Sequence, residues 1–298
     1  MACENPLYDI SPLSGLPNPE AEFLTPGPIG VFDSGYGGLT ILRDMIRRMP
    51  EYDYLYLGDN ARAPYGTRSF DVIYDFTRQS VEELFKRGCN LVILACNTAS
   101  AKALRSIQQL VLPGKYPGRR VLGVIRPTIE SLASISASGH VGLLATQGTV
   151  RSHSYQLELA KTSPSMKITE TECPMFVPLV EANEFSSPGA DYFVKKYLSS
   201  ALESDPLIDT LVLGCTHYPL LLPKILQYAP EHIRVMTQGG IVANSLADYL
   251  TRHPEIERVC TRGSSRTFLT TESSEKFNRL ATLFLEGAAE VESSRITL

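Results

Sequence analysis

Several features that mark other classes of protein are scarce in this chain of 298 residues. The longest apolar run, Leu91 to Cys96, is far shorter than the ~20 residues that a membrane-spanning helix needs. Lys and Arg together number 28 against 32 Asp and Glu, so the formal charge is −4 and the basic excess needed to bind a phosphate backbone is missing. We therefore expect a globular protein with neither a membrane nor a nucleic-acid partner.

Cysteine and histidine are too few and too scattered to indicate a structural metal site. The six cysteines include no CxxC pair, and the five histidines do not cluster. The first residues, MACENPLYDISPLSG, lack the basic start and apolar core of a secretory signal, so we expect a cytoplasmic protein with free thiols. The sequence predicts no metal, and each cysteine has to be judged by its own surroundings.

Short apolar runs alternate with amphipathic stretches after Pro28. This alternation predicts strands that are buried on both faces and separated by helices, which is typical of a mostly parallel α/β sheet. The predicted strands are 29–33, 52–59, 90–96, 119–125, 140–146, 167–173, 209–215 and 233–237, and the predicted helices include 39–49, 69–86, 100–110, 150–160 and 190–203.

A weak internal repeat indicates two similar α/β units in series. Four markers recur at nearly one spacing, although chance alignment of apolar strands remains an alternative. The matched pairs are the strands that begin at Ile29 and Val141, the prolines Pro64 and Pro178, the strands that end at Cys96 and Cys215, and the strands that begin at Arg120 and Arg234.

The repeat predicts the domain organisation. We expect an N-terminal extension at residues 1–27, a first α/β domain of residues 28–122 together with 236–298, and a second α/β domain of residues 123–235. Ligands of open α/β sheets bind beyond the carboxyl ends of the strands. Two such units facing each other would enclose a cleft with one strand-end cysteine on each wall.

Cys96 and Cys215 each end a predicted buried strand, and each precedes a pattern that suits the start of a helix. A single strand-end cysteine is usually a small core residue, but two in matching positions favour chemistry. A helix N-terminus would stabilise a thiolate and lower the pKa of the cysteine below ~8.5. No strong partner motif accompanies the remaining cysteines, to which we assign no chemistry: Cys3, Cys89, Cys173 and Cys260.

The segment DSGYGG, from Asp33 to Gly38, follows the first strand. Its glycines allow a ligand to approach the backbone, and N–H groups at the start of the next helix could hold an anion. It matches neither GxGxxG nor GxxxxGK[ST]. A carboxylate beside backbone donors suits a small zwitterion, while a plain glycine-rich turn capped by Asp33 or Ser34 is the alternative.

Further polar residues follow other predicted strands. Asp59 ends the second strand, and turn chemistry alone could explain the Pro64-Tyr65-Gly66 sequence that comes next. Taken singly, Glu181 is more typical of a surface than of a site. His217, two residues after Cys215, is either a structural histidine or a group that handles protons at the cleft.

Together these strings resemble the glutamate racemases, the cofactor-independent members of the aspartate/glutamate racemase superfamily. The resemblance implies two α/β domains with pseudo-twofold symmetry, a cleft between them, and interconversion of L- and D-glutamate for bacterial peptidoglycan, and so for cell-wall biogenesis and cell shape. It also implies a homodimer and no metal, flavin or pyridoxal phosphate. The strings cover Ile29 to Leu222: DSGYGGLT, YLGDNARAPYG, LVILACNTASA, GLLATQGTVRSHSY, CPMFVPLVE and LVLGCTHYPLL.

The resemblance also assigns roles to residues. Cys96 is implied as the acid/base that serves D-glutamate and Cys215 as the one that serves L-glutamate. Four residues are implied to flank the thiols and assist proton transfer: Asp33, Asp59, Glu181 and His217. Residues implied to bind the substrate are Asp33, Ser34, Pro64, Tyr65, Gly66, Asn97, Thr98, Thr146, Thr149, Thr216 and His217.

Two strings depart from the pattern of the family. Members often read GVIEPG where this chain has GVIRPT (residues 123–128), and an Asp-Ser-Gly stretch is often found where this chain has Thr237-Gln238-Gly239. Two other functions stay open. A racemase for aspartate would share the paired cysteines, although aspartate racemases commonly carry an acidic residue at the position of His217. A non-catalytic binding or regulatory protein would have kept the fold alone.

Overall fold

The computed structural model describes residues 24–298, which form two parallel β-sheets flanked by helices. The first sheet has six strands in the order β10-β9-β2-β1-β3-β4. Its strands are β1 (Ile29–Asp33), β2 (Tyr54–Gly58), β3 (Leu91–Leu94), β4 (Arg120–Gly123), β9 (Arg266–Thr270) and β10 (Ser293–Arg295).

The second sheet has four strands, β5 (His140–Ala145), β6 (Lys167–Glu172), β7 (Thr210–Gly214) and β8 (Arg234–Met236), in the order β6-β5-β7-β8. This order repeats the β2-β1-β3-β4 order of the first sheet, and every strand pair is parallel. The strands that the sequence repeat matched therefore occupy equivalent places in the two sheets.

Helices connect the strands on both faces of each sheet. The α-helices are α1 (Leu39–Arg48), α2 (Phe70–Lys86), α3 (Asn97–Lys102), α4 (Leu104–Ser106), α5 (Leu112–Lys115), α6 (Ile125–Leu132), α7 (Gln147–Val150), α8 (Ser154–Thr162), α9 (Phe176–Glu181), α10 (Pro188–Ser204), α11 (Leu222–Tyr228), α12 (Gly239–Arg252), α13 (Pro254–Glu257) and α14 (Ser274–Leu285).

Alternate residues of the central strands enter different hydrophobic clusters, because successive side chains of a strand point to opposite faces. In β1, Val31 packs in the cluster that contains α1, whereas Phe32 packs in the cluster that contains α2. In β7, Leu213 packs in the cluster that contains α10, whereas Val212 packs in the cluster that contains α8. Helices therefore cover both faces of each sheet, and the predicted doubly wound α/β architecture is confirmed.

One hydrophobic cluster crosses from one sheet to the other. It contains buried residues of β1 and α1 together with residues of β7 and α10, and Leu39 and Tyr218 are among its fully buried members. Because this apolar surface is shared, the two sheets are held against each other by a common core. The predicted domain boundaries stay a prediction, although β9 and β10 do return to the first sheet after the second is complete.

The structure corrects several predicted elements. Strands β9 and β10 were not predicted. Strand β9 begins with the charged residue Arg266, and β10 is a short polar segment, so neither is a continuous apolar run. The predicted helix 100–110 begins earlier, at Asn97, and includes a π-helical segment, Ile107–Val111. The predicted helix 150–160 is divided into α7 and α8, because His153 between them has a left-handed backbone with φ of 52°.

Residues 24–298 contain neither a membrane-spanning helix nor a cluster of metal-binding side chains. No helix in this part of the chain combines the length and the apolar character needed to cross a membrane. The same residues contain no group of three or more His, Cys, Asp or Glu side chains arranged to hold a metal ion. Of the predicted extension at 1–27, residues 1–23 lie outside the described residues.

Candidate active site

The loops that follow the carboxyl ends of the strands meet where the two sheets face each other. The loop after β1 lies so close to the loop after β7 that a methyl group on Gly37 would come within 2.3 Å of Thr216 Oγ1 and 2.4 Å of His217 Nδ1. Thr40 Oγ1 donates to the carbonyl of Thr216 at 3.1 Å. The loop after β1 in the first sheet and the loop after β7 in the second therefore come together at one place.

Cys96 follows β3 and caps the N-terminus of α3. It is only 6% exposed, and its Sγ donates to Ser34 Oγ at 3.5 Å. Burial, reinforced by the charge of Asp33, raises the pKa of the Cys96 thiol to about 12, although Ser34 and the N–H of Ala99 act in the opposite direction. The expectation that the helix would lower this pKa is therefore wrong, because desolvation outweighs the helix N-terminus.

Cys215 follows β7, and its surroundings differ from those of Cys96. Its Sγ lies 3.9 Å from His217 Nδ1, while His217 Nε2 lies 3.1 Å from Glu181 Oε1. The chain then enters a 3-10 turn, Tyr218–Leu221, instead of an α-helix. Burial lowers the pKa of His217, but hydrogen bonds to Cys215 and Glu181 raise it more, and the net pKa is about 10. An imidazolium therefore adjoins this thiol at neutral pH.

Asp33 joins the two halves of the site. It is fully buried, accepts a hydrogen bond from the N–H of Gly35 at 2.8 Å, and accepts another from Thr216 Oγ1 at 3.3 Å. Burial raises the pKa of Asp33, and the charge of His217 opposes that rise. Negative charge on Cys215 makes a further, minor contribution to the raised pKa of Cys96.

Three threonine hydroxyls form a cluster that includes Thr98, two residues after Cys96. Thr98 Oγ1 lies 3.0 Å from Thr146 Oγ1 and 3.4 Å from Thr149 Oγ1, and the latter two are 3.2 Å apart. Gly66 joins this cluster, because its carbonyl accepts from the N–H of Gly148 at 2.8 Å. Residues that follow β3 and β5 thus provide hydroxyl groups that can donate to a carboxylate, and Gly66, which follows β2, lies beside them.

Asp59 lies beside Asp33, to whose carbonyl its backbone N–H donates at 3.0 Å, while its side chain bonds to Tyr65 and to other neighbours. Asp59 accepts hydrogen bonds from Arg62 Nε at 2.6 Å, from the Tyr65 hydroxyl at 2.5 Å and from Thr271 Oγ1 at 2.9 Å. Its carboxylate is thus occupied by these three partners. Pro64 is exposed, whereas Tyr65 is buried. A part for Asp59 in proton transfer stays a prediction.

The remaining described cysteines lie in the hydrophobic core. Cys89, Cys173 and Cys260 are buried, and burial raises the pKa of each thiol above its ordinary value. None of the three has a cationic partner like that of Cys215 among its hydrogen bonds to described residues. Cys3 lies outside those residues.

Sequence reasoning missed three buried residues that form a hydrogen-bonded network with Asn97. The side chain of Asn97 bonds to Gln238 and Tyr155, and Gln238 bonds in turn to Thr128. The signal that could have found two of them was the departure from the racemase strings, since Thr128 ends GVIRPT and Gln238 lies within Thr237-Gln238-Gly239.

A cavity of about 710 Å³ lies apart from both catalytic candidates. Its lining comes from α3, α4, α6, α8 and α12 and includes Arg105, Arg126 and Arg252, but neither Cys96 nor Cys215. The paired thiols and the polar groups around them mark the candidate site more specifically than cavity size does.

The model of one protein family, described as Asp/Glu/Hydantoin racemase, matches residues 31–243 of this chain. The chain belongs to this racemase family. The predicted family and the predicted enzyme class of amino-acid racemase are thereby confirmed. A glutamate racemase from Ruegeria sp. (strain TM1040) is 40% identical over 267 residues, which cover 86% of this chain and 96% of that protein. One from Roseobacter denitrificans is 41% identical over 273 residues, with coverage of 88% and 98%.

Solved structures of this racemase family agree with the fold. The glutamate racemase isoform RacE1 from Bacillus anthracis has a TM-score of 0.82 at 30% identity, and the alignment covers 91% of this chain and 98% of that one. A glutamate racemase from Francisella tularensis, solved in complex with D-glutamate, has a TM-score of 0.79 at 30% identity, with coverage of 91% and 97%. An aspartate racemase from Picrophilus torridus, at 18% identity and a TM-score of 0.51, shares the fold alone.

Proposed function

We propose that this protein interconverts L- and D-glutamate, without a cofactor, by proton transfer at Cα between Cys96 and Cys215. The observation that carries the proposal is the placement of the thiols. Cys96 follows β3 and Cys215 follows β7, two strands in equivalent places of two sheets with the same strand order, and the loops of both sheets meet at Asp33, which bonds to Gly35 and Thr216. Inversion at carbon requires a proton to leave one face and another to arrive at the opposite face, which one fixed side chain cannot easily do.

The proposed step conserves protons. With D-glutamate, the Cys96 thiolate takes the α-proton, the electron pair of the broken C–H bond stays on Cα, and the Cys215 thiol delivers its proton to the other face. With L-glutamate, the two cysteines exchange these roles. Each turnover leaves one thiol and one thiolate, so the reverse reaction restores the starting state.

The charges of the site support this chemistry. Burial and Asp33 keep the free Cys96 thiol protonated, so a cation is needed before it can act as a base. The α-ammonium of the substrate, bound beside Asp33, would supply that cation. The imidazolium of His217 serves the same purpose beside Cys215 and is held by Glu181 at 3.1 Å. Each thiol would thus be activated by a different positive charge.

The hydroxyl cluster supports the choice of an amino acid as substrate. Thr98, Thr146 and Thr149 can donate to a carboxylate, while Asp33 can accept from the ammonium. The relatives at about 40% identity are glutamate racemases, and His217 stands where aspartate racemases commonly carry an acidic residue. The proposal includes a cytoplasmic homodimer that supplies D-glutamate for peptidoglycan.

The experiment uses the purified protein in deuterium oxide without any added cofactor. Proton NMR follows exchange of the α-proton, and chiral chromatography follows racemisation, in parallel reactions with glutamate and with aspartate. We expect glutamate to exchange and racemise and aspartate to react at least tenfold more slowly. Faster turnover of aspartate, or an absolute requirement for pyridoxal phosphate, would overturn the proposal.

A further inference from the structure

Four polar side chains are buried together in a cluster that includes Asn97, the residue directly after Cys96. Asn97, Thr128, Tyr155 and Gln238 are 2%, 0%, 0% and 3% exposed, so none of them exchanges its hydrogen bonds freely with bulk water. Buried polar groups cost free energy unless each finds a partner. The way in which these four satisfy one another therefore restricts how they can be arranged.

The amide of Gln238 is the centre of the network. Its Oε1 accepts from Asn97 Nδ2 at 2.6 Å, and its Nε2 donates to Thr128 Oγ1 at 2.8 Å and to the Tyr155 hydroxyl at 2.9 Å. The Tyr155 hydroxyl donates to Asn97 Oδ1 at 2.7 Å, and Thr128 Oγ1 donates to the carbonyl of Val124 at 2.7 Å. Nε2 also lies 3.3 Å from Asn97 Oδ1, so every polar atom of the Gln238 amide has a partner within the network.

The network joins elements that belong to different sheets. Asn97 begins α3 directly after Cys96, and Gln238 caps α12. Thr128 lies in α6 and Tyr155 in α8, which pack with the second sheet. Thr128 and Gln238 are also one departing residue from each of the two strings that differ from the family pattern, and these two residues, 110 positions apart, are in direct contact.

We propose that Gln238 is a positioning residue for Cys96, acting through Asn97, and that Thr128 completes its hydrogen bonding. The inference rests on the proposed function, because it assigns the network to one of the two proton-transfer steps. Cys215 is held differently, since its neighbours Thr216 and His217 bond to Asp33 and Glu181. The network therefore orients Cys96, whereas other contacts orient Cys215.

The test compares Gln238→Met, which keeps the length of the side chain but removes its polar atoms, with the unchanged protein. Racemisation is measured in both directions with α-deuterated D-glutamate and L-glutamate. We expect kcat to fall ten- to hundredfold, as misplacement of a reacting group does. The primary isotope effect should rise for D-glutamate, whose deuteron Cys96 removes, and should fall for L-glutamate, for which Cys96 becomes the slow proton donor.

A milder pair of variants covers the case in which Gln238→Met does not fold. Thr128→Val removes the acceptor of Nε2 at nearly constant volume, whereas Thr128→Ser keeps the hydroxyl. We expect Thr128→Val to lower kcat three- to tenfold with the same asymmetry of isotope effects, and Thr128→Ser to stay within twofold of the unchanged protein.

The outcomes separate the inference from the proposed function. If Gln238 had a purely structural role, Gln238→Met would lower the unfolding temperature and change both isotope effects in the same direction. That result would overturn the inference but not the proposed function, because the unchanged protein would still racemise glutamate. Unaltered rates and isotope effects in Gln238→Met and Thr128→Val would overturn it as well. If the unchanged protein did not racemise glutamate, the proposed function itself would fail.

Discussion

The two walls of the site come from strands in equivalent places, yet they differ in chemistry. Cys96 caps an α-helix and donates to the neutral hydroxyl of Ser34, with Asp33 nearby. Cys215 precedes a 3-10 turn and adjoins His217, whose pKa is about 10. The repeated backbone thus gives the two thiols equivalent positions, whereas the side chains next to them differ in charge and hydrogen bonding.

This difference shows which features the backbone supplies and which the local residues supply. The shared strand order sets the positions of both sulfur atoms, because each follows the third strand of its unit. The electrostatic surroundings depend on side chains that differ between the two units, such as Glu181 on α9 and Ser34 after β1. The wall with Cys215 carries its own cation, whereas the wall with Cys96 would obtain one from the substrate.

Removal of either thiol should have the largest effect. We expect Cys96→Ala and Cys215→Ala each to lower racemisation of glutamate by at least about 10³-fold, because residues that act as a unit fail together. Cys89→Ala is the matched control, since Cys89 is also a buried cysteine. Chiral chromatography of the product measures all three, and the control should stay within twofold. Near-normal racemisation by one active-site variant would show that a single wall suffices.

Removal of the cation from the Cys215 wall should have the next largest effect. We expect His217→Asn to lower kcat by about 10²-fold, within the range for loss of an assisting proton-transfer group. The primary isotope effect with α-deuterated substrate should rise for L-glutamate, whose deuteron Cys215 removes, and should fall for D-glutamate, to which Cys215 delivers the slow proton. Equal changes of both isotope effects, or no fall in kcat, would contradict the assignment of His217 to this wall.

The equivalent change on the Cys96 wall should be smaller. Ser34→Ala removes one weak, neutral hydrogen bond to the thiol at 3.5 Å, so we expect kcat to fall by no more than about tenfold. Steady-state kinetics of Ser34→Ala and His217→Asn, measured side by side, compare the two walls directly. A larger loss in Ser34→Ala would reverse the comparison.

The smallest expected effect concerns stability against pH. The pKa of His217 is raised to about 10 in the folded chain, so its protonation stabilises the fold fully below ~6.5, its ordinary pKa, and this contribution is lost as the pH rises through about 10. Denaturant unfolding should therefore show a stability difference between the unchanged protein and His217→Asn that shrinks by at least ~1 kcal/mol between pH 6 and pH 10. A difference that does not vary with pH would count against the imidazolium.

Much of the fold could be predicted because its signal is local. The strand Ile29–Asp33 has its predicted bounds, since a short buried apolar run is bounded by a proline and a polar turn. Strand β10 gave no such signal, because Ser293–Arg295 lies at the sheet edge and pairs only with β9 among the described strands. The turn at His153 was also missed, since a left-handed histidine does not interrupt an amphipathic pattern.

The site was predicted in its residue types but not in its energetics. The matched positions of Cys96 and Cys215 drew attention to both, yet the pKa of Cys96 depends on burial by residues distant in sequence and could not be read from its helix. Thr128 and Gln238 stood out only as departures from a family pattern. Their contact is created by tertiary packing, which no local pattern records.

The central claim is that each thiol serves one face of the substrate. The most direct measurement is deuterium exchange at Cα, followed by NMR in deuterium oxide. It uses pure enantiomers of glutamate and the two variants that each lack one of the active-site cysteines, Cys96→Ala and Cys215→Ala. The account predicts that Cys215→Ala exchanges only D-glutamate through Cys96, that Cys96→Ala exchanges only L-glutamate through Cys215, and that neither racemises its substrate. Exchange of both enantiomers by one variant, or of the opposite enantiomer, would contradict it.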